Sequence, residues 1–469
     1  MKPDIEIYGG HSQINPAATQ SIQNNYYGQP APSVEPVVAS TVVVLGAGVD
    51  AAAGFPTASS LIPKITDWLK TEEGKTVNAA LRKQLKGLRF HFDKVIDDAI
   101  NRLTQELDRE CDAICRHVNR ELRENSALDT QQRKLGTLIT RIFSQINNVK
   151  NGATIDDETL ELITEVTGTE PTDTTLIDFS RTFYTKTFET TIRYILHASL
   201  HDSENPILRH VYTNLLDISR LLAKHFYGFF TNEMAEKKKY LYIAWTLWAY
   251  FISQEQAWAI NEDRSALTNI YSQLQGKEQL QVITFNYTSL AAQVSPTSIY
   301  FNGNLTDYVD VENKNDLRVD DIHTLDLADF FQNRLAEELS LEGDRIAIPI
   351  PSFMPPLKLK PVISNSYITT WYRSAQSIAH AERILLLGHS LQAGDSFFND
   401  MLRANRQAEI IVIEPDLEAA CRSLCSTLQQ SANRYTTLNV QGHPARKYDN
   451  RITVIGAELT EIDLEEWIA

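Results

Sequence analysis

The stretch from Thr41 to Thr57, Thr-Val-Val-Val-Leu-Gly-Ala-Gly-Val-Asp-Ala-Ala-Ala-Gly-Phe-Pro-Thr, constrains this chain more than any other. Residues 41–45 are short, rich in β-branched residues and apolar on both faces, which predicts a central parallel strand. Gly46 and Gly48, on either side of Ala47, remove side chains that would keep a phosphate away from backbone N–H groups, so the turn is expected to face an anion. Ser59 or Ser60 is then expected to cap a helix whose Leu61, Ile62, Ile65, Trp68 and Leu69 share one apolar face, with Pro63 tolerated in its first turn. Strand, glycine turn and helix together point to nucleotide binding. Gly46, Gly48 and Ala51 fit G-x-G-x-x-G/A, but Asp67, at the distance of the usual acidic partner, falls inside the helix and not at the tip of a second strand.

Length and charge narrow the alternatives. At 469 residues the chain has room for two or three domain-sized units, and a net charge of −16 argues against a nucleic-acid surface spread over the whole protein while leaving a local basic patch open. Cys111/Cys115 and Cys421/Cys425 are spaced i,i+4 in helix-like sequence, which suggests neither a disulfide framework nor a metal ribbon and fits a reducing cytoplasm. No signal-peptide pattern opens the sequence. The longest apolar run, Tyr240 to Ile252, is too short to span a bilayer and predicts a buried helix.

Read in order, residues 1–36 form an arm in which Ile5–Tyr8 could make one short strand; it reads either as a disordered tail or as an edge strand added to a neighbouring subunit. A first nucleotide-binding unit covers 37–75. From 76 to 275 the three- and four-residue apolar spacing is continuous, with breaks near Gly152, Gly168–Pro171 and Asn205-Pro206, and predicts an all-α insertion. After Gly276 the α/β texture returns, with strands expected at 280–287, 298–305, 383–388, 408–416 and 451–455, an apolar segment closed by prolines at 345–351 and a helix at 371–380. The fold class is therefore α/β: a Rossmann-like doubly wound parallel sheet with a large all-α insertion, formed by 37–75 together with 276–469.

Four motifs, in order, carry a resemblance: Gly46-Ala47-Gly48 through Gly54-Phe-Pro56, Thr284-Phe-Asn286-Tyr-Thr288, Asn302-Gly303-Asn-Leu305 and Gly388-His-Ser390-Leu391. They resemble the sirtuin family, and more closely its bacterial sirtuin-like branch, in which such domains hydrolyse NAD during anti-phage defence. The resemblance implies that Gly46, Ala47 and Gly48 hold the NAD pyrophosphate and that Gly54 to Pro56 begin a loop over the nicotinamide ribose. It implies that Asn286, in the motif opened by Thr284, contacts that ribose and places the attacking water, and that Gly388 and Ser390 lie against the adenosine half. Glu414, at the end of a buried strand, is a candidate acceptor for ribose hydroxyls. Departures are equally informative. Asn302 stands where the family has histidine, Asp50 replaces its serine and Thr288 its aspartate. Asparagine takes no proton at neutral pH, which disfavours deacylation. Glycohydrolysis demands less, because a cationic nicotinamide leaves through an oxocarbenium-like state that a carboxylate such as Asp50 stabilises. The paired C-x-x-C zinc module of deacetylating sirtuins is absent from the sequence.

Competing readings remain beside these. Gly388-His-Ser-Leu-Gln mimics a nucleophile elbow but has Gln392 where glycine belongs. His389 reads as a pocket-wall or packed residue, His197/His201 as one face of a helix, Asp395 as a helix N-cap ahead of a ribose contact, and Asp50 equally as a cap or a catalytic group. The expectation is a cytoplasmic NAD hydrolase, with no metal, no membrane contact and NAD as substrate. Homo-oligomerisation, or a defence partner such as an ATPase, a translocase or a nuclease, would control it. A silent NAD or ADP-ribose sensor and an NAD-dependent deacylase are the alternatives.

Overall fold

A strand that is apolar on both faces has to be covered on both faces, and Thr41–Leu45 is: all five residues are buried. The computed structural model describes residues 40–468 except 52, 58–59, 106, 148–154, 176, 179–182, 203–204, 232, 261–268, 344, 355–362 and 392–394. The arm with Ile5–Tyr8 lies outside the described residues. The strands, in chain order, are β1 (Thr41–Leu45), β2 (Ile177–Asp178), β3 (Phe183–Tyr184), β4 (Leu280–Thr284), β5 (Ile299–Tyr300), β6 (Gly303–Asp310), β7 (Asn315–Arg318), β8 (Pro349–Phe353), β9 (Arg383–Leu387), β10 (Glu409–Glu414), β11 (Thr436–Val440), β12 (His443–Tyr448) and β13 (Ile452–Gly456).

Eight of them form one sheet in the order β11-β12-β13-β10-β9-β1-β4-β5. The six from β13 to β5 are parallel. The chain runs from β1 outward to β4 and β5 and later returns to β9 on the other side of β1, which is the arrangement of doubly wound sheets that take ligands at the carboxyl ends beside that switch point. The remaining two strands close the edge antiparallel. Their turn is the pair Gln441-Gly442, both at positive φ (51° and 91°), as a two-residue hairpin requires.

Strand pleating decides what covers each face. Val43 and Leu45 of β1, Leu385 and Leu387 of β9, and Ile411 and Ile413 of β10 enter one apolar cluster, which they share with the helices between β1 and β4. Val42, Val44, Ile384, Leu386, Ile410 and Val412 enter a second, packed with helices Asn365–His380, Ser396–Ala404 and Leu417–Leu428. The inserted helices therefore form one layer of the sheet's packing and do not stand outside it, as a separate block would. The insertion is also not all helix, since β2 and β3 pair antiparallel within it.

The 27-residue helix Met234–Ile260 is the spine of that layer. Every residue from Tyr240 to Ile252 is buried, the environment expected for that run, and among the described residues no helix is long and apolar enough to cross a membrane. Buried indole N–H groups need acceptors, and Trp245 and Trp248 donate to the carbonyls of Pro349 (3.0 Å) and Leu305 (2.7 Å). Those carbonyls belong to a second sheet, β7-β6-β8, which the sequence reading did not separate from the first. The strand expected across 298–305 breaks at Phe301-Asn302: β5 ends, Gly303 takes φ 88°, and β6 starts a new direction.

Where the chain reverses at the switch point, backbone meets backbone. Gly46 donates its N–H to Leu387 O at 2.9 Å and Gly48 to Gly388 O at 3.2 Å. A Cβ on Gly46 would lie 2.2 Å from Gly388 O, and one on Gly48 2.9 Å from Gly388 Cα. These glycines are thus required by close packing of two turns, and their amides bind protein carbonyls before any ligand arrives. Gly46→Ala is expected to destabilise the fold by about 1–3 kcal/mol or more, because backbone has to move to admit the methyl group. Urea-unfolding midpoints compared with Gly54→Ala, where a Cβ meets nothing within 4 Å although φ is +91°, check whether close approach or φ dominates.

Candidate active site

The carboxyl ends of β1, β4 and β9 open into a cavity of roughly 1050 Å³, a figure that includes the solvent space at its mouth. Its chemistry centres on Asp50, which sits in the five-residue helix Ala47–Ala51 and is only 4% exposed. Three segments donate to this one carboxylate. Asn286 Nδ2 reaches Oδ1 at 2.7 Å, Tyr271 donates its hydroxyl to the same oxygen, and Thr288 donates to Oδ2 at 2.5 Å. Asn286 Nδ2 also donates to Gly46 O at 2.9 Å, so the end of β4 and the turn after β1 meet over the same space. Thr284, fully buried, accepts the Asn286 backbone N–H at 3.0 Å and orients that residue without facing the cavity.

Burial dominates the electrostatics. Loss of solvent pushes the Asp50 carboxyl up to about 6, and the negative charge of Glu255 pushes the same way; hydrogen bonds from Thr288, Tyr271 and Asn286 pull against both. Burial next to this carboxylate holds the Tyr271 hydroxyl well above its usual range, so it stays a donor. Glu255 has no exposed surface. It projects from Met234–Ile260 and accepts the Ser289 backbone N–H at 2.5 Å and the Ser289 hydroxyl at 2.6 Å. Desolvation raises its pKa as well. The turn carrying Asn286 and Thr288 is thereby fastened to the inserted helices.

Of the residues singled out in sequence, the cavity gathers Gly46, Ala47, Asp50, Pro56, Asn286, Asn302, Gly388 and Ser390. Asn302, 4% exposed, turns its backbone carbonyl to Met354 N–H at 2.7 Å. Gly48 and Gly54 lie behind the lining: Gly48 packs on Gly388, and Gly54 bonds its N–H to Ala51 O at 3.0 Å. Glu414 ends β10 outside the lining, where burial and then the charges of Asp416 and Glu458 push its carboxyl up to about 7. Sequence reasoning missed the opposite wall. Leu222, Leu247 and Phe251 come from the inserted helices Ile218–Phe229 and Met234–Ile260, and Tyr271, in Asn269–Leu274, reaches Asp50 from behind the lining. An apolar residue lining a cavity and one filling a core have the same pattern along a helix, so no signal marked them. Among the described residues no cluster of three or more His, Cys, Asp or Glu side chains is arranged to hold a metal ion.

A raised carboxyl pKa sets a sign for stability. Below the unfolded value near 3.8 both states hold the proton and Asp50 costs nothing; as pH rises toward about 6 the unfolded chain loses its proton first, and the folded state becomes relatively disfavoured. Asp50→Asn removes that term. The melting temperature of the variant relative to the parent is expected to climb between pH 4 and 6 and level off above, and a flat difference across that window would refute the burial argument. Comparison with known proteins yields no family-model match and no match among curated proteins.

Proposed function

We propose that the chain is an NAD glycohydrolase, with the cavity at the ends of β1, β4 and β9 as its active site. The observation that carries this reading is the bridge made by Asn286, whose amide joins Gly46 O to the Asp50 carboxylate at 2.9 and 2.7 Å. An amide at the end of a buried strand, a buried carboxylate and a glycine turn at a switch point suit a ribose bearing a cationic leaving group.

In this reading the bond between ribose C1′ and the nicotinamide nitrogen breaks heterolytically. The electron pair leaves with nicotinamide and neutralises its ring, and positive charge develops on C1′ and the ring oxygen of the ribose. Asp50, about 2.7 Å from Asn286 and ionised above pH 6, stabilises that charge. Water adds at C1′, ADP-ribose forms, and the proton passes to Asp50 and then to solvent. Asn286 holds the ribose hydroxyls and the water. The apolar wall of Leu247 and Phe251 limits competing solvent. Asn302 cannot serve as base, which favours hydrolysis over a deacylation needing an activated ribose hydroxyl.

Control belongs to the same proposal. A hydrolase that depletes NAD has to be held off until triggered, and the inserted helices, which wall the cavity and grip Ser289 through Glu255, are where self-assembly or a partner ATPase, translocase or nuclease would act. An anti-phage role in the cytoplasm follows from the resemblance in sequence alone. A second reading, a sensor that binds NAD or ADP-ribose without turnover, draws support from Asn302.

Incubation with NAD alone and then with an acyl-lysine peptide separates these readings. Nicotinamide release without peptide supports the hydrolase, release only with peptide the deacylase, and binding without release the sensor. Asn286→Ala is expected to lower release by about 100-fold or more in a protein that still folds, with a melting temperature lowered by the donor lost to Asp50 and Gly46 O. The rate should rise with pH through an acid limb near 6 as Asp50 ionises. An unchanged rate in Asn286→Ala would remove the bridge from the chemistry.

A further inference from the structure

A second cavity lies across a shared wall from the first. It encloses roughly 560 Å³, counting the solvent space at its mouth, between β5, the start of β6, the end of β8 and the helix Asn365–His380. Neighbouring residues of the wall face different cavities: Asn302 and Phe353 line the first, Gly303 and Ser352 the second. Gly303 lets the wall close, because a Cβ there would stand 1.7 Å from Ser352 O and 2.9 Å from the Tyr367 hydroxyl. The two linings differ in chemistry. Side chains such as Leu247 and Phe251 wall the first, whereas hydroxyls and charges, Asp307 and Arg373 among them, ring the second.

Three groups here have hydrogen-bonding capacity that the protein leaves unused. Tyr367 is 2% exposed; its hydroxyl accepts from Ser352 Oγ at 3.4 Å and, among the described residues, donates to nothing. Burial pushes that hydroxyl well above its usual range, the Ser352 hydrogen bond opposes the shift, and the charges of Asp307 and Asp316 add to it, so the group keeps a proton to donate. Arg373 meets the protein through Thr297 O at 3.5 Å, at the limit of a hydrogen bond, and has no carboxylate partner among the described residues. Asp307 accepts from Asn304 Nδ2 at 2.8 Å and from the Thr306 hydroxyl at 3.2 Å, and Arg318 Nε stands 3.7 Å away on a side chain 71% exposed. A carboxylate has about four acceptor positions, so Asp307 can take a further donor, and its exposed partner neutralises it only weakly.

Spacing suits one small molecule. Tyr367 and Arg373 are six residues apart on one helix, about 9 Å along its axis, and helical side chains lean toward the N-terminus, which shortens the span between their polar ends. Asp307 is close enough for its charge to act on the Tyr367 hydroxyl. An acceptor is therefore wanted between Arg373 and Tyr367, and a cationic donor directly beside it at Asp307. We infer that this cavity binds a free α-amino acid, its carboxylate held by the Arg373 guanidinium and the Tyr367 hydroxyl and its ammonium by Asp307. A simple anion would leave Asp307 facing it as a like charge. The site is separate from the first cavity and does not rest on the hydrolase reading.

Calorimetric titration of the full chain with the common α-amino acids, at concentrations up to roughly 10 mM, tests the assignment. At least one is expected to bind, and the same molecule without its amino group to bind about 10-fold or more weakly. Arg373→Gln is expected to weaken the amino acid about 10-fold or more, and Tyr367→Phe, which keeps the ring, to weaken it several-fold. Asp307→Asn is expected to bind the amino acid and its deaminated analogue alike. Arg373 and Asp307 both reach solvent, so these two variants test the site even if Tyr367→Phe fails to fold. Binding of none of the amino acids, equal binding of the deaminated analogue by the parent, full affinity in Arg373→Gln, or discrimination retained in Asp307→Asn overturns the assignment, and each leaves the proposed hydrolase untouched.

Discussion

A carboxylate with almost no exposed surface is the joint on which this structure depends. Asp50 costs free energy to bury, and the cost is bearable only because donors arrive from three separate segments: Tyr271 from the last inserted helix, Asn286 from the end of β4 and Thr288 from the turn beyond it. None of these donors is near Asp50 in sequence. The sheet has to pair β1 with β4 and the insertion has to close before the charge is satisfied. A buried polar network of this kind specifies one arrangement of the chain and penalises near alternatives.

The same joint explains why the helices between β1 and β4 are not an appendage. Pleating sends Val43 and Leu45 into their core while Val42 and Val44 face the other layer, so the central strand cannot be buried without them. They also supply the apolar wall of the cavity and, through Glu255, hold the turn that carries Asn286 and Thr288. A displacement of Met234–Ile260 would reach the site through two direct contacts. Such a helix has only to shift against the sheet to change the site, and packed layers move more readily as bodies than by deformation.

Much of the sheet was legible from residue patterns. Doubly apolar runs at 41–45, 383–387 and 409–413 announced central strands, since only a strand covered on both faces repays such a sequence. The Thr-Phe-Asn end of β4 was legible for the same reason: a polar residue directly after a buried strand sits where ligands sit. Other features escaped. β6 reads as polar and alternating, and its separation from β5 hangs on one glycine at φ 88°; the Gln441-Gly442 hairpin lacks the asparagine or aspartate that would have flagged it. Gly46 and Gly48 were legible as special positions, but their packing against Gly388 was not, because backbone packing and phosphate approach ask for the same missing side chain.

What the sequence determined by itself is periodicity and residue chemistry: which runs are strands, which are helices, and which polar residues end a strand. Tertiary structure alone decided which of those polar groups meet. Local pattern is set by neighbours a few residues away, whereas the meeting of Asp50 with Tyr271 and Asn286, beside a wall made by Leu247 and Phe251, depends on strand order and helix packing across the whole chain. Glu414 shows the limit from the other side: its type and strand position suit a ligand contact, and only the tertiary structure shows that it lies outside the cavity lining, buried within range of the charges of Asp416 and Glu458.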